Sequence, residues 1–262
     1  MESIADFAGN YQTRPGVARA WMRTFPSLVF YSRLVYSVIR YSRLAQRQQY
    51  DIAAWRESSL GVLHTLEQTG VQINIEGLDN LKKFDGPCVF VANHMSTLET
   101  LVLPGIIHPA KNATFVVKRG VVEYPVFKHL ILSRDPIVVD RVNPRADLEM
   151  VLTQGPKSIA GGQSIIVFPQ TTRRLDFDPK LFNTIGLKLA RRAGVPVVPI
   201  ALRTDAWGVG KLIKEFGRID PAKPVHIAFG EAIDPGARGN ASHQTVIEFI
   251  QSKLEGWQTA ID

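Results

Sequence analysis

Six histidines are spread through the chain, and one of them, His94, stands where its surroundings could do chemistry. It follows the apolar run Cys88-Val89-Phe90-Val91-Ala92, and a carboxylate, Glu99, lies five residues further on. A histidine held near a carboxylate can remove a proton from an alcohol, with the carboxylate holding the tautomer and stabilising the charged ring. The spacing restricts how the two can meet, because five residues on one continuous helix turn side chains about 140° apart. His94 must therefore sit in a loop before a helix, with Glu99 in the first helical turn reaching back. Ser96-Thr97-Leu98-Glu99 fits that geometry, since Ser96 can cap the helix. The same four residues also spell an ordinary Ser-x-x-Glu capping box with no catalytic purpose. Both readings stand at this level.

Cations recur after the other apolar runs. Lys118-Arg119, Asp140-Arg141 and Pro169-Gln170-Thr171-Thr172-Arg173 each follow a short β-branched segment. Guanidinium and ammonium groups beside a proton acceptor can hold a phosphate attached to the reacting alcohol, and in isolation each could equally be a surface ion pair. No metal is expected, because none of the histidines forms a recognised ligand spacing with another. Cys88 is the only cysteine and lies within an apolar run, which excludes an intrachain disulfide and a cysteine cluster. The Gly-x-Ser-x-Gly elbow of serine hydrolases is missing.

The elements that must position these groups are legible as alternation. At 262 residues, 45% hydrophobic and 21% charged, the chain can bury a sizeable core without repeats or disorder. Strands are expected at Cys88 to Ala92, Thr114 to Val117, Ile137 to Val139, Ser164 to Phe168, Val197 to Leu202 and Val225 to Phe229. Helices are expected at Ser96 to Leu103, Arg145 to Ala160, Thr184 to Ala193 and Gln244 to Trp257. Gly194 after Arg191 and Arg192 is a helix stop with basic residues in the last turn. Strands alternating with helices predict an α/β fold with a largely parallel sheet flanked by helices. In such sheets ligands bind beyond the carboxyl ends of the strands, where the histidine and the cations fall.

Residues from about Arg19 to Leu66 read as helical, with Pro26 separating two pieces. Between Ser27 and Gln48, Arg33, Arg40, Arg43 and Arg47 share one arc, and Phe30, Tyr31, Leu34, Val38 and Ala45 lie opposite. This N-terminal amphipathic segment is too interrupted by charge to cross a bilayer. It can lie on an anionic membrane surface, with Tyr31, Tyr36 and Tyr41 interleaved, or pack its apolar face on the rest of the protein. A boundary near residue 70 divides a helical segment, 1–70, from a catalytic domain, 71–262. The first residues show no basic start and apolar core of a secretory signal, so the expected location is the cytoplasmic face of a membrane, peripheral or monotopic. The formal charge of +7 favours anionic partners, and no zinc-finger or RNA-recognition signature directs it to nucleic acid.

Four stretches taken in order resemble the glycerolipid acyltransferases, specifically the 1-acylglycerol-3-phosphate acyltransferases and their relatives. Asn93-His94-Met95-Ser96-Thr97-Leu98-Glu99 is similar to the family Asn-His-x-Ser-x-x-Asp, with glutamate for aspartate. Lys118 through Pro125-Val126-Phe127 to Asp140-Arg141 resembles the second block, and Phe168-Pro169-Gln170-Thr171-Thr172-Arg173 the third, Phe-Pro-Glu-Gly-Thr-Arg. Gly194-Val195-Pro196-Val197-Val198-Pro199-Ile200 resembles the fourth. The resemblance implies transfer of a fatty acyl group from a thioester, acyl-coenzyme A or acyl carrier protein, to a hydroxyl of a lysophospholipid, lysophosphatidate first, with no bound cofactor. It implies His94 as base, Glu99 as its partner, and Lys118, Arg141, Gln170, Thr171, Thr172 and Arg173 around the acceptor. Gln170 and Thr171 depart from the family glutamate and glycine, which keeps open an acceptor without glycerol phosphate. A hydrolase and a non-catalytic membrane-binding relative are the alternatives.

Overall fold

The computed structural model describes residues 9–124, 127–170, 172–210, 216–236 and 240–259. The chain begins with β1 (Tyr11–Gln12), followed by α1 (Ala20–Thr24), α2 (Pro26–Gln46) and α3 (Ile52–Gln68). Next come β2 (Ile73–Glu76), β3 (Val89–Ala92), α4 (Leu98–Ile107), β4 (Ala113–Lys118), α5 (Arg119–Val122) and α6 (Lys128–Leu132). The rest is β5 (Ile137–Val139), α7 (Pro144–Ala160), β6 (Ser164–Val167), α8 (Ile185–Ala193), β7 (Val197–Arg203), β8 (Val225–Phe229) and α9 (Asn240–Thr259).

One sheet of order β1-β2-β8-β7-β3-β6-β4-β5 forms the middle layer. The five strands from β7 to β5 run parallel, so their carboxyl ends share one edge. β8 turns antiparallel to β7, and β2 runs with β8. The six expected strands are present within a residue or two of their limits. β1 and β2 add a short edge that the sequence reading passed over; β1 is only two residues long, and β2, Ile73-Asn74-Ile75-Glu76, alternates with polar residues where the expected strands are mostly apolar runs.

Both faces of the central strands are buried, which is why β3 and β6 are continuous apolar runs. Phe90, Ile166, Val198, Ile200 and Leu202 point to one face, where Phe30, Leu34 and Val38 of α2, Leu63 and Leu66 of α3, and Leu98 and Leu103 of α4 cover them. Val89, Val91, Ile165, Val167 and Ala201 point to the other, under Val151 of α7, Leu187 and Leu189 of α8, and Ile250 of α9. The α3–α4 contact is close enough that Ser59 Oγ donates to the Val102 carbonyl at 3.0 Å and accepts from the Gly105 amide at 2.7 Å.

Helix limits follow local chemistry. Pro26 opens α2 at a position where its missing N–H costs nothing. Asp51 caps α3 by accepting from the Ala54 amide, and Asn143 caps α7 ahead of Pro144. Gly194 ends α8 in the left-handed conformation, φ 68°, as its position after two arginines predicts. The single helical stretch expected to follow Pro26 is instead two helices, broken at Gln48, whose φ is 57°. Among the described residues no helix is long and apolar enough to cross a membrane.

Candidate active site

β3 ends at Ala92, and the chain leaves the sheet through Asn93. The Asn93 side chain donates to the Leu202 carbonyl and accepts from the Leu202 amide, each at 2.8 Å. This two-way clamp fixes the loop against β7 at the carboxyl edge of the sheet. His94 follows, with its backbone N–H donated to Gln170 Oε1 at 2.7 Å and its carbonyl accepting from the Arg174 amide at 2.9 Å. The imidazole stacks on Phe168 with ring centroids 4.3 Å apart and planes 21° apart. Three contacts from the segment after β6 thus orient the residue after β3.

Glu99 lies in the first turn of α4 and reaches back, as the spacing requires. Its Oε2 is 2.7 Å from His94 Nδ1. Its Oε1 accepts from the Met95 amide at 2.9 Å, the Ser96 amide at 2.8 Å and the Thr204 hydroxyl. The two readings of Ser96-x-x-Glu99 are compatible in geometry: one oxygen accepts from the Ser96 amide, as the glutamate of a capping box does, and the other faces the histidine. Glu99 is fully buried, and the His94 side chain keeps 16% of its surface exposed. A carboxylate only accepts, so an ionised Glu99 facing a neutral ring selects the tautomer with the proton on Nδ1 and the lone pair on Nε2. Such an arrangement can serve as a histidine base whose tautomer a buried carboxylate fixes.

The expected binding residues distribute unevenly. Gln170 is buried and holds His94, and its carbonyl lies 3.5 Å from Arg141 Nη1. Arg141 adopts φ 58°, a left-handed conformation that a non-glycine residue rarely takes, and its amide bonds Asp147 at 2.9 Å. Burial holds its guanidinium below the ordinary arginine range, against the opposing pull of Asp147. Arg173 donates to Thr97 Oγ1 beside the histidine loop. Thr172 is exposed, and Lys118 stands exposed at the end of β4, opposite Val139. Thr171, Pro125 and Val126 lie outside the described residues. Sequence reasoning missed Phe168 as a ring support and Thr204 as a donor. Thr204 directly follows β7, so asking what stands after every strand would have found it.

A three-layer α/β fold carries a histidine–carboxylate pair at the carboxyl ends of parallel strands, with Arg141 and Arg173 bonded to Gln170 and Thr97 beside it, an arrangement suited to proton transfer. Residues 72–203 match the family model described as Acyltransferase, and the chain belongs to that family. A 1-acyl-sn-glycerol-3-phosphate acyltransferase of Pseudomonas aeruginosa is 33% identical over 132 residues, 50% of this chain and 49% of that relative. One from Chlamydomonas reinhardtii is 28% identical over 90% of this chain and 67% of its own length. The match covers about half or less of the first curated relatives, down to 38% of a chloroplast one from Brassica napus. Among solved structures, the 1-acyl-sn-glycerophosphate (LPA) acyltransferase PlsC of Thermotoga maritima superposes with a TM-score of 0.69 at 20% identity. That superposition covers 90% of this chain and 98% of the other, a likeness of fold.

Proposed function

We propose that this chain is an O-acyltransferase that moves a fatty acyl group from an acyl thioester to the free hydroxyl of a lysophospholipid, with lysophosphatidate as first acceptor, in phospholipid synthesis or remodelling. The His94–Glu99 pair carries the reading. His94 Nε2 takes the acceptor hydroxyl proton as that oxygen attacks the thioester carbonyl, and Glu99 stabilises the imidazolium that forms. The thiolate leaves as the tetrahedral centre collapses and takes up a proton, so one ester forms as one thioester breaks. No acyl-enzyme is required. Arg141 and Arg173, with Lys118, Gln170 and Thr172 at the rim, supply the charge that recognises a phosphorylated acceptor. The relatives named above act, by their names, on 1-acylglycerol 3-phosphate. Gln170 weighs less against that acceptor than its departure from the family pattern suggests, because its amide oxygen holds the His94 backbone, a task that needs no charge.

Acyl-coenzyme A and acyl carrier protein both remain donors of the right chemistry. Purified protein with palmitoyl-coenzyme A and lysophosphatidate should release thiol and yield phosphatidate by mass spectrometry. His94→Ala should lose it by roughly 10²–10⁴-fold. Retained transfer in that variant would sink the mechanism, and product only with a phosphate-free acceptor would replace the substrate.

The N-terminal part of the chain, through α1 and α2, serves in this reading as the contact with the cytoplasmic face of a membrane. On α2 the face of Phe30, Leu34 and Val38 is consumed by the core. A second apolar stripe, Trp21, Phe25, Leu28, Val35 and Ile39, is exposed, with Leu28 70% accessible, and Arg40, Arg43 and Arg47 run beside it. Apolar side chains flanked by arginines suit an anionic lipid surface. Leu28→Asp with Val35→Asp should weaken sedimentation with phosphatidylglycerol vesicles about tenfold or more while leaving the unfolding midpoint unchanged. Unaltered vesicle binding would refute this assignment.

A further inference from the structure

We propose that Thr204 is a positioning residue for the His94–Glu99 pair, the last member of a one-way hydrogen-bond chain that decides which carboxylate oxygen faces the imidazole. The proposal rests on the acyltransferase reading for its rate measurement only. Thr204 is fully buried two residues beyond Leu202, the partner of the Asn93 clamp, so β7 delivers it to the same loop that carries His94. Its amide N–H points at Met95 Sδ, 3.4 Å away.

The direction of the chain is set at Glu99, which as a carboxylate can only accept and so takes the single Thr204 proton. The Leu98 amide can only donate, and it donates to Ser96 Oγ at 3.1 Å. Ser96 Oγ donates to Thr204 Oγ1 at 2.9 Å, which leaves the Thr204 proton for Glu99 Oε1. Glu99 Oε1 thereby holds three donors, two amides and one hydroxyl, and Oε2 faces His94 Nδ1. The asymmetry makes exchange of the two oxygens unfavourable, because Oε2 would have to take over three donors placed for its neighbour.

Thr204→Val keeps the shape and removes the donor, and Thr204→Ser restores it. In the full chain with palmitoyl-coenzyme A and lysophosphatidate, Thr204→Val should lower kcat about tenfold with the acceptor KM unchanged, and Thr204→Ser should recover it. Nitrogen NMR of the histidine-labelled protein reads His94 without turnover. The wild type should show one tautomer with a slowly exchanging Nδ1 proton, which Thr204→Val should exchange several-fold faster and Thr204→Ser should return. Should Thr204→Val fail to fold, Thr204→Ala leaves the same oxygen without its third donor and adds no bulk. Unchanged Nδ1 exchange in the valine or alanine variant overturns the proposal, as does a serine variant as impaired as valine. If the wild type transfers no acyl group, the acyltransferase reading fails and the NMR series alone decides the role of Thr204.

Discussion

Glu99→Gln separates the charge of this carboxylate from its shape, and its effect can be worked from the four donors around it. Met95 and Ser96 present backbone N–H groups to Oε1, and a backbone N–H cannot become an acceptor. The amide oxygen of glutamine must therefore occupy the Oε1 position, which turns its NH2 toward His94. A donor facing Nδ1 requires a lone pair there, so the ring proton moves to Nε2, the atom that must accept the proton of the acceptor hydroxyl. All hydrogen bonds stay made, and the base is lost. In serine-protease triads the equivalent aspartate-to-asparagine change acts through the same wrong tautomer and lowers kcat about 10⁴-fold. For this site, roughly 10³–10⁴-fold is expected, with the melting temperature held within a few degrees because no donor is left facing a donor. The measurement is thiol release from saturating acyl-coenzyme A with lysophosphatidate, beside a thermal melt of the same preparation. A variant within tenfold of the wild-type rate would refute the fixed-tautomer argument. A low rate with a collapsed melt would show a folding role and leave the tautomer unsupported.

Arg173→Ala should raise KM for lysophosphatidate about tenfold or more, the cost of one charge-assisted phosphate contact, and leave kcat and a phosphate-free acceptor nearly unaffected. Equal losses on both acceptors would argue that Arg173 acts on the histidine loop through Thr97. Gly77→Ala should destabilise the fold by about 2–4 kcal/mol, since φ is 73° and an added Cβ would meet the Phe229 carbonyl oxygen at 2.2 Å. Calorimetry should show a melting temperature lower by about 5–15 °C. His108 gives a pH dependence: burial, with Arg134 and Arg56 nearby, pushes it down to about 4, and neither ring nitrogen has a hydrogen-bond partner among the described residues. Unfolded, it titrates near 6.5, so between about 6.5 and 4 the unfolded chain binds a proton that the folded chain refuses. Stability should fall by about 1–3 kcal/mol as pH drops through that window. His108→Phe, which keeps the ring against Trp55, should flatten the slope in urea unfolding, and an unchanged slope would clear His108 of the effect.

What was readable in the sequence was whatever repeats a local period or sits next to an element end. β3, β4, β5, β6, β7 and β8 announced themselves as short β-branched runs, and the loop position of His94 followed from helical geometry alone. α2 was legible as an amphipathic helix, but its period could not say that one apolar face is spent on the core while a second stripe, 100° or more away, is left outside. Thr204 and Glu99 stand 105 residues apart, and only the pairing of β7 with β3 makes them neighbours. Phe168 was visible as part of a block, yet its stacking under His94 depends on β6 lying beside β3. The capping box shows the limit most clearly. Ser96-x-x-Glu99 read as either a helix start or half of a catalytic pair, and local sequence had no means of choosing. The structure makes the two compatible, because a carboxylate has two oxygens and the helix start occupies only one. The bonds from the Met95 and Ser96 amides hold the other oxygen on His94, so contacts at the helix start do the orienting that the proposed base requires.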